Sequence, residues 1–364
     1  MTLQNIERIL IIKLRQIGDT LLTVPTFRAV REKYPKARIA ALVAAGSEAM
    51  LAGNPLIDEV ILLHRSISGE GLVQRIRREI EFISTIRKKK FDMVVDLTSG
   101  DRPALLAFFS GARYRVAADP KGKGFRGKRA LYTHTRRFDN NRSHMVEQNL
   151  DVVRQIGIDT DDRSLFLAIP EEDKRFAENL IATGATPSGG LTVHLHPTSR
   201  WLFKCWRDDA MALLIDRLSE EYRARIFLTC GPEPAEMEKA RRIFDLARVN
   251  PVDLIGKTSL KQLAAISARC HLFIGVDTAP MHIAAAVGTP VVAIFGPTGE
   301  YNWRPWGEGH TVVAKEMPCR SCGRAGCDDG GRSECLETLG FEEVWSAVEK
   351  TISRIKEAPR VGAD

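Results

Sequence analysis

An apolar run beginning at Phe273 ends in Gly275-Val276-Asp277-Thr278; Pro280 opens an Ala-rich stretch that Gly288 closes, and Pro290 starts the next apolar run. Strand, turn, helix and strand follow from that order. It sets Asp277, Thr278 and the backbone at Ala279 and Pro280 beyond the carboxyl end of a buried strand, beside helix N-terminal amides. Those amides lack intrahelical partners and the aligned peptide dipoles leave partial positive charge there, so the corner attracts phosphate. The chemistry expected is the binding of a phosphorylated small molecule. His282, one turn into the helix, reads as a donor to that ligand, as a brace for Asp277, or as a packing histidine. Asp277 could cap the helix, steer His282 or touch the ligand, and spacing does not separate these roles.

A second group lies near the start, in Lys13-Leu14-Arg15-Gln16-Ile17-Gly18-Asp19-Thr20. Gly18 permits a tight turn after the first strand, and Asp19 begins a helix at the sheet edge where α/β folds place their sites. Asp19 could serve as a helix cap or as a base. The helix dipole keeps it ionised and weakly basic. A weak base suffices when the hydroxyl it deprotonates becomes acidic as a new bond forms.

The elements that must position these groups read as two open α/β halves. In the first, Arg8 to Leu14, Ala37 to Ala45, Glu59 to His64 and Phe91 to Thr98 look like short buried strands. Helices are expected at Thr20 to Tyr34, Leu72 to Lys90 and Ser143 to Ile156, and a linker runs from Asp159 through Pro170. In the second, strands are expected at Leu191 to His196, Arg225 to Cys230, Asp253 to Gly256, His271 to Val276 and Pro290 to Phe295, with helices at 208–221, 235–247 and 260–268. Such alternation implies parallel sheets with right-handed crossovers. The expected division is 1–170, 171–340, and a C-terminal segment 341–364 whose amphipathic helix, Glu342 to Ile355, packs back across the first domain. At 364 residues, 44% hydrophobic and 27% charged, the chain has the composition of a globular protein with a full core. Its longest apolar stretch, Ile283 to Phe295, is too short to cross a bilayer, and the start lacks a secretory pattern. A cytosolic protein is expected.

Charge is uneven. Through Pro170 there are 29 Lys and Arg against 19 Asp and Glu, a net +10, and the remainder is net −3. The excess gathers in Arg75 to Lys90 and in Lys121 to Arg142, the latter expected to be a mobile loop. Solvated faces account for such runs, and so does an anionic partner such as a phospholipid surface. Few aromatic residues interleave them, which argues against a nucleic-acid partner.

Gly18-Asp19 with Thr23 and Pro25, then His196-Pro-Thr198-Ser199-Arg-Trp-Leu-Phe-Lys204-Cys-Trp206, then Gly275 to His282 and Phe295-Gly-Pro297, together resemble glycosyltransferase family 9, the lipopolysaccharide heptosyltransferases. Phe203 to Trp206 and Trp303 to Trp306 look most like the branch that adds the third, side-branch heptose of the inner core. The resemblance runs from about Ile9 to the C-terminal helix. It implies a GT-B fold, two Rossmann-like domains facing across a cleft, with acceptor on the first and nucleotide-sugar on the second. It implies ADP-heptose as donor, the inner core of lipopolysaccharide as acceptor, inversion in one displacement and no required cofactor. Asp19 would then be the general base, with Arg15 and Gly18 on the acceptor side. Lys204 matches the family lysine on donor phosphate, Thr198, Ser199 and Thr278 add hydroxyls, His282 joins the donor site, and Glu233 takes the ribose, with Glu236 competing. These groups would take up charge as ADP leaves, on the cytoplasmic face of the inner membrane.

Seven cysteines remain. Cys205, Cys230 and Cys270 read as reduced thiols. Cys319, Cys322, Cys327 and Cys335 form a four-thiol cluster whose first Cys-x2-Cys pair suits zinc and whose later spacings suit it poorly; no metal is expected in catalysis. A sugar-nucleotide epimerase of similar build and a non-enzymatic anion-binding protein are the rival readings. A nicotinamide dehydrogenase is disfavoured, since Arg15-Gln-Ile-Gly stands where a Gly-x-Gly-x-x-Gly would.

Overall fold

The computed structural model describes residues 3–64, 71–138, 142–183, 190–327 and 331–357. The chain divides into two compact units, Met1–Ala168 and Ile169–Asp364.

In the first unit, β1 (Arg8–Lys13), β2 (Arg38–Ala44), β3 (Glu59–Leu63), β4 (Met93–Asp96), β5 (Tyr114–Ala118) and β6 (His134–Arg136) form one parallel sheet in the order β3-β2-β1-β4-β5-β6. The central strands are unbroken apolar runs, Ile9-Leu-Ile-Ile in β1 and Ile39-Ala-Ala-Leu-Val in β2, buried on both faces. Strands of that kind require helices above and below the sheet.

The second unit repeats the plan with β7 (Thr192–His196), β8 (Arg225–Thr229), β9 (Val252–Leu254), β10 (Leu272–Val276), β11 (Val291–Phe295) and β12 (Thr311–Ala314), ordered β12-β11-β10-β7-β8-β9 and parallel throughout. Counted from its own first strand, each sheet runs 3-2-1-4-5-6, and both units are doubly wound. Gly275 lets β10 lie against β7, because a Cβ there would meet the His196 carbonyl oxygen at 2.7 Å.

Several expectations need correction. The helix expected from Thr20 to Tyr34 is two, Ile17–Leu21 and Val24–Lys33. Thr23 Oγ1 donates to the Thr20 carbonyl at 2.6 Å, and Pro25, which has no amide hydrogen, fits only the first turn of a new helix. Gly18 lies inside the first of these helices and makes no turn before it. The basic stretch from Lys121 holds a turn of 3-10 helix at Lys128–Leu131, with Lys128 buried, and then edge strand β6; residues 139–141 of that stretch lie outside the described residues.

The C-terminal helix, Phe341–Glu357, belongs to the second unit. Its Val344, Trp345, Val348 and Ile352 complete the core formed by Leu195, Leu214, Ile274 and Ile294. Residues 358–364 lie outside the described residues. Trp345 is stacked on Phe341, with the Arg217 guanidinium 4.4 Å from its ring centre. Trp345→Ala should therefore cost about 3–5 kcal/mol of stability, read from urea unfolding; a loss below about 1 kcal/mol, the usual range for a surface change, would mark the helix as an appendage.

Candidate active site

In each sheet, the crossovers from neighbouring central strands leave in opposite directions, β1 against β4 in the first unit and β7 against β10 in the second. Crevices open beyond the carboxyl ends of such pairs. Asp19 lies beyond β1, and Lys204, Asp277 and Thr278 beyond β7 and β10.

In the first unit Asp19 is buried, third in the helix Ile17–Leu21, and its Oδ2 accepts the Gln16 backbone amide at 3.2 Å in a capping box. Gln16 is the N-cap, and Asp19 is its reciprocal partner at the third helical position rather than the plain cap expected. Arg15 is exposed and its guanidinium reaches the Thr98 carbonyl at 3.4 Å. Two neighbours went unnoticed in the sequence. Lys13, the last residue of β1, is buried and donates to the Leu97 carbonyl at 3.1 Å and to Asn149 Oδ1 at 3.0 Å. Burial pulls its pKa down, and the negative charge of Asp19 works in the opposite sense. Asp96, at the end of β4, is fully buried; it accepts Tyr132 Oη at 2.5 Å and the amides of Thr98 and Ser99 at 2.7 and 3.2 Å. Burial raises its pKa against those bonds. A charged residue ending an apolar strand was the only signal for either.

In the second unit the loop after β7 carries Lys204 to the crevice, where Nζ meets Asp277 Oδ2 at 2.7 Å. Thr298 Oγ1, beyond β11, donates to the same oxygen at 2.6 Å. Asp277 is buried, and Thr278 rather than Asp277 occupies the N-cap of the helix Ala279–Ala286. Ala279 and Pro280 form its first turn and His282 is buried one turn along. Thr298 follows Phe295-Gly-Pro297 and was missed because nothing in its spacing set it apart.

The other predicted groups lie on neighbouring loops. Thr198 is buried and its hydroxyl donates to Glu236 Oε2 at 3.0 Å, so that proton is committed within the protein. Ser199 Oγ accepts the Trp201 amide at 3.3 Å, and its own amide donates to Cys205 Sγ at 3.2 Å. Glu236 is buried, with its carboxyl pKa raised by burial, whereas Glu233 is exposed at the N-cap of Pro234–Leu246. Of the two, Glu233 is open to a ligand.

The Cys-rich segment packs onto these loops. The Gly323 amide donates to the Pro297 carbonyl at 2.8 Å, and Ser333 Oγ to the Phe203 carbonyl at 2.6 Å. Leu336 fills the space where a Cβ on Gly296 would sit. Burial raises the Cys335 thiol to about 11, with the other three thiols adding to the shift. Among the described residues no group of three or more His, Cys, Asp or Glu has a metal-holding arrangement.

Two doubly wound units, each gathering polar side chains where its strand order reverses, make up the GT-B architecture. A model of glycosyltransferase family 9 (heptosyltransferase) matches residues 80–331, and the chain belongs to that family. It is similar to lipopolysaccharide heptosyltransferase 3 of Escherichia coli K12, 33% identical over 297 residues, 81% of this chain and 84% of that one. A second protein of that name from Escherichia coli is 30% identical over 92% of this chain and 96% of its own. Among solved structures, a family 9 glycosyl transferase from Veillonella parvula gives a TM-score of 0.79 at 24% identity, covering 97% of this chain and 98% of that one. Escherichia coli ADP-heptose lps heptosyltransferase II gives 0.75 at 19%, covering 96% and 100%. These two share the fold.

Beneath the crevice of the second unit, His196 Nδ1 and His194 Nε2 both meet Thr229 Oγ1 at 2.8 Å, with both rings buried. Burial depresses His196 to about 3 and His194 well below its ordinary 6.5. A depressed pKa contributes stability above the unfolded value and loses it as pH falls through the folded one. The stability gap between wild type and His196→Asn, which keeps a polar atom near Thr229, should narrow as pH drops from 6.5 towards 3; urea midpoints showing a constant gap would mean His196 titrates normally.

Proposed function

We propose that the chain is an inverting heptosyltransferase that moves L-glycero-D-manno-heptose from ADP-heptose to the inner core of lipopolysaccharide. The observation that carries the reading is the 33% identity to lipopolysaccharide heptosyltransferase 3 over 81% of the chain. Residues 1–170 would hold the acceptor and 171–340 the donor. Membership of a transferase family leaves the epimerase and binding-protein readings without support of their own.

In this reading the acceptor hydroxyl oxygen attacks the anomeric carbon of the heptose and its proton passes to Asp19. The bond from that carbon to the β-phosphate oxygen breaks, and ADP leaves with the electron pair. Lys204 turns from Asp277 to the diphosphate, Thr298 retains Asp277, and the amides at Thr278 and Ala279 share the charge. Ser199 and His282 would complete the donor contacts and Glu233 would accept the ribose hydroxyls. Arg15 and Gly18 would border the acceptor. The residues named supply acid-base and electrostatic chemistry without a cofactor. Among the described residues no helix is long and apolar enough to cross a membrane; the proposed place of work is the cytoplasmic face of the inner membrane.

Incubation with ADP-heptose and core oligosaccharide lacking one heptose should release ADP and add one heptose by mass; consumption without acceptor would instead mark an epimerase. Asp19→Asn keeps an acceptor for the Gln16 amide, so the fold should survive while kcat falls roughly 10²–10⁴-fold, the usual worth of a positioned base. Normal turnover would remove Asp19 from the chemistry. Lys204→Ala should weaken ADP binding by about tenfold or more, as expected for loss of a charged hydrogen bond. Unchanged affinity in calorimetry would place the diphosphate elsewhere.

A further inference from the structure

The helix Leu72–Lys88 of the first unit carries an apolar arc that faces away from the protein. Leu72 is 70% exposed, Val73 79%, Ile76 51% and Ile80 61%. At 100° per residue these four fall within about 100° of one another, while the helix packs inward through Ile86, Phe82 and Ile83. Every residue from Gly71 to Arg77 is exposed, so the first turns project from the body of the unit. Arg77, ion-paired with Glu81 at 2.9 Å, lies beside the arc, and the helix end adds Arg87 and Lys88. Between Arg75 and Lys90 seven basic residues stand against two acidic ones.

The next helix, Asp101–Phe109, extends this surface. Arg102 joins it to the first through a bidentate bond to Glu79, at 2.9 and 2.5 Å. Its Leu105, Phe108 and Phe109 share one outward face and are each about two-fifths exposed. Arg115 lies over the Phe108 ring at 5.7 Å. Large aliphatic and aromatic side chains left open side by side are unusual on a protein that meets only water. Combined with the basic excess of the run from Arg75 to Lys90, they match the interface of an anionic bilayer, where apolar side chains enter the acyl boundary and cationic side chains remain among phosphates.

We propose that these two helices form the membrane-docking face of the first unit and that its partner is an anionic phospholipid surface. The inference rests on the reading that the acceptor is lipid-borne, and it names the surface by which the enzyme would reach it. Basic charge favours a lipid surface over a second copy of this chain, since two such faces would repel.

The test is sedimentation of the full chain with vesicles of phosphatidylethanolamine and phosphatidylglycerol, and with phosphatidylcholine alone. Wild type should pellet with the first and stay in solution with the second. Val73→Glu/Ile76→Glu/Ile80→Glu, all at exposed positions, should lower partitioning at least roughly tenfold. The triple variant should keep its circular dichroism and turn over a delipidated core oligosaccharide like wild type. Equal pelleting of wild type and variant, or no pelleting of wild type, overturns the proposal. So does a wild-type dimer in light scattering that the substitutions dissolve. Failure of the heptosyltransferase reading shows separately, as absent turnover of the delipidated acceptor by wild type.

Discussion

A parallel sheet whose crossovers leave in opposite directions from two adjacent strands cannot cover the space beyond their carboxyl ends with a single helix. That constraint operates in both units, at β1 beside β4 and at β7 beside β10. It decides where helix N-termini and short loops converge, and therefore where charged side chains can be held near one another without entering the core. The apolar strands have little chemical content, yet their order places Asp19 in one crevice and Lys204 in the other.

Each crevice contains a lysine, held in a different way. Lys13 is enclosed and bound to a carbonyl and an amide oxygen, both neutral, an arrangement that fixes position at the cost of desolvating the ammonium group. Lys204 is partly open and paired with a buried carboxylate that Thr298 also holds. Removing a cation from such a pair leaves a charge that only another donor or a displaced lysine can satisfy. Lys204 is held by an opposite charge and stays partly open, whereas Lys13 is held by neutral oxygens and is enclosed.

The two-unit plan was legible because the central strands are continuous apolar runs punctuated by Gly, Pro and Asp. Strands β5, β6 and β12 were not. β5 begins Tyr-Arg, β6 is the three residues His-Thr-Arg, and β12 is four residues after a Trp- and Gly-rich stretch; none is long or apolar enough to declare itself. The side chains gathered at the two crevices were legible in type and only partly in pairing. Asp277 was seen with three possible duties, and the structure adds a fourth, the ion pair with Lys204, because partners 73 positions apart leave no local spacing signal. The C-terminal helix was recognised as amphipathic, but an apolar stripe does not say which surface it covers.

The segment carrying Cys319 to Cys335 holds the loops before Lys204 and after Phe295 through Gly323, Ser333 and Leu336, and the helix after it closes the second core. During synthesis, a ribosome would thus have made every strand of both sheets before the loops around Lys204 and Asp277 could take their final shape. Nascent chains halted short of that point would carry Lys204 and Asp277 without the clasp that sets their loops, and so this crevice matures last.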